Sequence, residues 1–287
     1  MQIRLFSLCL ALFSMCLTNL TYSNAEDSEE DKEFLALWDD FEEASPKGYA
    51  KPLTASQESW DAVQPYLLPY NHPAKKTLDL IFSQERPLLS SKNMKKAGFF
   101  NYTPSDKAII VSGHPRLKGY LIKAYLDTCY LPEWKLWIQR IVGANQVRNS
   151  IEELGYSAIM KAPKKWIYVL PQTPPPPTGD GYFPKHYVIV VQDMGLFSET
   201  ANLENWRNSM TPSLLASFYN MVMVNGLIDS YYVDNSPFAF DRKIAFVDTE
   251  HYNVDIVHFP GRQEILYKYL SATMRSYWEH LIINGGP

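Results

Sequence analysis

The sequence predicts an α+β protein in which an antiparallel sheet is preceded by helices and followed by a smaller helical region. Three observations predict it. Short apolar runs bounded by turn residues concentrate between Ala108 and Gln192. Helical periodicity dominates on either side of that stretch. One long helical pattern, Glu133 to Leu154, interrupts the strands. The composition agrees: 46% of the 287 residues are hydrophobic and 20% are charged, the balance of a chain that buries a core.

Residues 1–25 carry Arg4, an apolar run from Leu5 to Leu17 and the small-residue ending Ser23-Asn24-Ala25, the three-part layout of a signal peptide. The expectation is an exported protein, secreted or periplasmic, whose mature chain starts near Glu26. The apolar run is shorter than the ~20 residues that span a hydrocarbon core, so no stable membrane span is expected after cleavage. Residues 26–100 are expected to form an acidic helical segment. Its first part, 26–44, holds ten acids against Lys32, with Phe34, Leu37, Trp38 and Phe41 recurring on one helical face. Two short helical patterns follow, Trp60 to Leu68 and Ala74 to Phe82, separated by a turn-rich stretch ending at Pro73.

Residues 101–192 form the β-rich part. Ala108 to Ser112 and Tyr120 to Leu126 read as strands joined by Gly113-His114-Pro115-Arg116, and the long helix has Trp134, Trp137, Ile138 and Ile141 on one side. Trp166 to Leu170 and Tyr187 to Gln192 read as further strands, linked by a loop containing Pro174 to Pro177, which favours extended polyproline II backbone. Residues 193–287 form the helical part. Ser213 to Gly226 is an apolar helix stopped by glycine, Phe238 to Phe240 and Lys243 to Val247 form a tight hairpin across Asp241-Arg242, and Gln263 to Ile283 closes the chain as a helix.

The formal net charge of −4 argues against a general nucleic-acid binder. Beyond residue 44 the balance reverses to 25 Lys+Arg against 21 Asp+Glu, which suits an anionic ligand such as a nucleotide. Cys9 and Cys16 belong to the leader, leaving Cys129 alone, so no intrachain disulfide is expected. No G-x-S-x-G elbow or H-E-x-x-H helix occurs, and His251 and His258 lack a matching ligand cluster.

The order of elements, with Gly119-Tyr120-Leu121-Ile122-Lys123 on an early strand and Asp229, Asn235 and Asp248-Thr249-Glu250 around a late hairpin, resembles the protein-kinase-like phosphotransferases between Ala108 and Glu250. The resemblance implies a two-lobed fold: an antiparallel-sheet lobe over 101–192 and a small helical lobe over 193–287. It also implies bound ATP and Mg²⁺ and transfer of phosphate to a protein or small-molecule acceptor. Lys123 looks like the strand lysine that holds phosphates. A helix glutamate would pair with it, Glu133, Glu152 or Glu153, with spacing favouring Glu133. Asn235 and Asp248 look like the Mg²⁺ ligands and Asp229 like the catalytic aspartate.

The sequence departs from the family pattern in identifiable places. Asp229 lies six rather than five residues before Asn235, so Ser230 or Asp234 competes for the catalytic position. Leu227-Ile228 replaces His-Arg, Thr249-Glu250 replaces Phe-Gly, and no G-x-G-x-x-G covers the phosphates. These departures support an alternative, a kinase-fold binding or scaffold protein without catalysis. A third reading is an exported α+β interaction protein of another fold.

Overall fold

The computed structural model describes residues 48–102, 108–256 and 260–286. The leader and the acidic amphipathic helix expected within 1–44 lie outside the described residues, as does His258.

Two helices open this part of the chain, and local chemistry fixes where each begins. Helix α1 (Gln57–Val63) starts at Ser56, whose hydroxyl accepts the Ser59 amide, and it runs into a 3₁₀ turn at Gln64–Tyr66. Helix α2 (Pro73–Gln84) starts where Pro73 presets φ and the imidazole of His72 accepts the Ala74 amide. Burial holds the His72 pKa down to about 4, so the ring is neutral and free to accept. A third, short helix, α3 (Ser91–Lys96), is capped by Ser90 and buries only Met94, which is why periodicity does not reveal it.

The sheet contains β1 (Phe100–Asn101), β2 (Ile110–Gly113), β3 (Tyr120–Ala124), β5 (Lys165–Val169) and β6 (Tyr187–Gln192). Its order is β1-β2-β3-β6-β5 and every neighbouring pair is antiparallel. Between β3 and β5 the chain forms helix α4 (Glu133–Glu153) and the short strand β4 (Met160–Lys161). Beyond the sheet come α5 (Glu199–Asn208), α6 (Pro212–Asn225), β7 (Ile244–Ala245), α7 (Pro260–Gln263), a 3₁₀ turn at Glu264–Tyr269 and α8 (Ala272–Asn284). Among the described residues, no helix is long and apolar enough to cross a membrane.

Two expected elements need correction. The hairpin over 238–247 shrinks to a bridge between Phe238 and Ile244, with the Ala239 amide donating to the Lys243 carbonyl. Arg242 in its turn takes a left-handed φ of 65°, and the Ile244 amide donates to Ile159 O, so β7 pairs in parallel with β4 instead. The closing helix is broken at Leu270-Ser271, because the Ser271 hydroxyl caps a new start by accepting the Met274 amide.

Among the described residues, two clusters of buried side chains meet on helix α4. One packs Ile167, Val169, Ile189 and Val191 of the sheet against Trp137 and Ile141 of α4. The other gathers Trp206, Phe218, Phe246 and Trp278 from the helical part around Val147 and Ile151, also of α4. The first half of one helix therefore serves the sheet cluster and its second half serves the helical cluster. Gly226 ends α6 in the left-handed region at φ 60°, and a Cβ there would meet Val254 N at 2.4 Å, so glycine is needed both for the turn and for the close passage of 253–254.

Candidate functional site

Strand register decides which charged groups meet. Lys123 on β3 faces Ile189 across the ladder, and Lys165 on β5 faces Val191. Residues two apart on β6 share a face, so both lysines project on the side that carries Ile189 and Val191, toward α4. Arg140 stands on that side of α4, three residues after Trp137 and one before Ile141, both buried in the same cluster. The segment after β7 brings Asp248, Thr249 and Glu250 against these three cations.

The contacts are specific. The Arg140 guanidinium donates through Nη1 to Asp248 and through Nη2 to Glu250, one fork holding two carboxylates. Lys123 Nζ donates to the Val247 carbonyl at 3.3 Å, the peptide oxygen next to Asp248. Lys165 Nζ donates to the same carbonyl at 3.3 Å, to Arg140 O at 3.3 Å and to Thr249 Oγ1 at 3.0 Å. Thr249 Oγ1 in turn donates to Arg140 O at 2.9 Å, tying the loop to the helix backbone. Gly143, one turn further along α4, makes this docking possible: a Cβ there would lie 2.0 Å from Thr249 O.

Burial and neighbouring charge set the protonation states. Burial pulls the Lys123 ammonium below the ordinary lysine range, partly offset by Asp248. Burial pulls Lys165 much further down, and the like charge of Lys123 adds to the effect. For Asp248 burial alone would raise the pKa, but Lys123 and Arg140 outweigh it and hold the carboxyl well below the usual carboxylate range. Arg140 is only 5% exposed, whereas Asp248 is 31% exposed. Solvent thus meets the carboxylates first, with the cations behind them.

Of the residues predicted from sequence, Lys123 and Asp248 are brought together. Asn235 adjoins them through its backbone, its carbonyl accepting the Val247 amide, while its side-chain amide donates to Asp229 O at 3.0 Å within its own loop. Asp229 hydrogen-bonds through Oδ2 to His251 Nδ1 at 2.6 Å, and its other oxygen lies 3.8 Å from Arg262 Nη1. Its competitor Ser230 is buried, and Asp234 is exposed. Glu133 stands elsewhere: its Oε1 accepts the His186 amide at 3.0 Å and its Oε2 lies 3.7 Å from Lys185 Nζ, so its ionic partner is Lys185 and not Lys123. The physical reason is position along the helix. Glu133 is the first residue of α4, whereas the turn that faces Lys123 is the one carrying Arg140.

Arg140, Lys165 and Glu250 are the participants that the sequence reading missed. A signal existed for two of them. Arg140 interrupts the apolar stripe Trp137, Ile141, Ala144 at helical spacing, and Lys165 alternates with Ile167 and Val169, so each is a charge on a face that is otherwise buried.

The Asp248 carboxylate holds the Arg140 guanidinium, and Asn235 donates its Nδ2 hydrogen within its own loop to Asp229 O. Among the described residues no group of three or more His, Cys, Asp or Glu is placed to hold a metal ion. What the cluster can do is close on itself, two carboxylates against one fork and two ammonium groups. Comparison of the chain with protein-family models and with curated proteins finds no match.

Proposed function

We propose that the chain is an exported, protein-kinase-like binding module that does not transfer phosphate. The kinase-like part of this reading is supported by an antiparallel sheet of order β1-β2-β3-β6-β5, by a long helix following the strand that carries Lys123, and by Asp248 on a segment close to that lysine. The observation that carries the non-catalytic part is the Arg140 fork. A cation supplied by the helix sits on the two carboxylates, Asp248 and Glu250, that the late segment offers, where phosphoryl transfer would place a metal and its nucleotide. Breaking this cluster open would leave desolvated charge unpaired, so the closed state is strongly favoured.

A second reading, phosphoryl transfer with ATP and Mg²⁺ through Lys123, Asn235, Asp248 and Asp229, keeps one observation in its favour, the proximity of Lys123 to Asp248. One experiment separates the two. The protein is incubated with radiolabelled ATP or GTP and Mg²⁺ or Mn²⁺, and both hydrolysis and autophosphorylation are followed. The expected result is no turnover above that of Asp248→Ala. Turnover in the parent chain that disappears in Asp248→Ala and in Lys123→Ala would overturn the binding-module reading in favour of catalysis.

A further inference from the structure

The connection between β5 and β6 is longer than its ladder requires. Val169 pairs with Tyr187 at the end of an antiparallel register, where roughly two to five residues would close a hairpin. Residues 170–186 lie between them instead. Connections of this length in a compact domain are usually functional.

Proline dictates the backbone of this connection. The pyrrolidine ring fixes φ in each of Pro174, Pro175, Pro176 and Pro177, and the first three each precede another proline, which drives ψ out of the helical range. The result is a polyproline II helix, with about three residues per turn and no internal hydrogen bonds. Burial follows that period. Pro174 and Pro177, three apart, are half-buried, whereas Pro175 and Thr178 are exposed; on the third edge Pro176 is half-buried and Gly179 exposed. One edge of the prism therefore rests on the protein, and the other two present Pro175 and Pro176 outward. Among the described residues, none of 171–178 makes a backbone hydrogen bond, so their carbonyls are open to an incoming donor.

The segment is held at both ends. Before it, Gln172 Oε1 accepts the Leu53 amide at 3.2 Å. After it, Gly179 and Gly181 turn the chain with φ of 110° and 82°, and the Lys185 amide donates at 2.9 Å to Asp127 Oδ1, on a carboxylate that Arg86 fixes. A partner would thus meet a preformed helix and order little of it on binding. Residues 171–179 carry no charge, so recognition falls to proline rings and carbonyl oxygens.

We propose that Pro175-Pro176 docks into a partner domain whose groove is a slot between two aromatic side chains, taking one x-Pro step and donating a hydrogen bond to its carbonyls. A groove with two such slots, three residues apart, would need Pro174 and Pro177, whose edge is turned to the body of the protein. The interaction uses no residue of the Arg140 cluster.

WW domains, whose groove holds one x-Pro step between two rings, and SH3 domains, whose groove holds two, serve as probes. Each is titrated with the whole protein by calorimetry and by NMR of the labelled domain. At least one WW domain is expected to bind saturably, with shifts at its two aromatic residues, and no SH3 domain. Substituting Pro175→Ala together with Pro176→Ala should weaken binding at least tenfold, and soluble polyproline should compete. Four results would overturn the proposal: no binding by any WW domain, binding that the double variant retains, binding by SH3 domains alone, or a dimer of the chain that the double variant dissolves, which would make a second copy the occupant.

Discussion

Removing the guanidinium of Arg140 would leave Asp248 and Glu250 facing only the two lysines, both of which burial drives toward the neutral form. Arg140→Gln is therefore expected to lower stability by about 2–4 kcal/mol, somewhat under the range for breaking a fully buried pair because Asp248 is 31% exposed. Urea denaturation measures it, and the triple variant Arg140→Gln, Asp248→Asn, Glu250→Gln should recover most of the loss, since no unpaired charge then remains. The same site sets an acid response. The folded-state pKa of Asp248 lies below its unfolded value of ~3.9, so its contribution is complete above about pH 4 and is lost as pH falls through the depressed folded value. Asp248→Asn should be less stable than the parent at pH 7 and the difference should shrink in acid. Equal differences at pH 7 and pH 3 would remove Asp248 as the source. Lys123 and Asp248 were legible in the sequence because each closes a short apolar run. Arg140 left a weaker signal, one charge beside the apolar positions Trp137, Ile141 and Ala144, which reads as a polar-face residue until the helix phase is fixed.

Helix α4 and the 248–250 segment approach so closely that the contact depends on one missing methyl group. Gly143→Ala gains about 1 kcal/mol of helix propensity but sets a Cβ 2.0 Å from Thr249 O, a backbone atom that is held by its own network. The clash should win, with a net loss of about 1–3 kcal/mol on the scale of overpacked cores. If Gly143→Ala instead raises the melting temperature, the segment does not pack as described. The elements that positioned this contact differed in legibility. Strand β6 and helix α4 were readable, since an unbroken apolar run and a 21-residue stretch without proline or turn clusters each admit one interpretation. Strand β4 was not, and β7 was read as a strand but with the wrong partner, because each has two residues and owes its pairing to a partner more than eighty positions away. Pattern within a window carries no information about such a partner, and the late hairpin was predicted in its place for that reason.

At the scale of the whole molecule the notable feature is that two hydrophobic clusters share a helix. Trp137 is fully buried against the sheet and stacks on Tyr125, with its indole N–H donating to Tyr187 O at 3.3 Å. Three turns along, Val147 and Ile151 lie in the cluster built on Trp206, Phe218 and Trp278. Loss of α4 would uncover both cores at once, and the charge cluster that fastens it to residues 248–250 is seated at Arg140, in the half of the helix that serves the sheet. Unfolding of the described part should then be a single cooperative transition. Trp137→Ala should cost about 3–5 kcal/mol, typical of a large core deletion, and should lower amide protection in α6 and α8 as well as in β5 and β6. Hydrogen exchange resolves this directly. If β5 and β6 lose protection while α6 and α8 keep theirs, the two clusters unfold independently and α4 does not couple them.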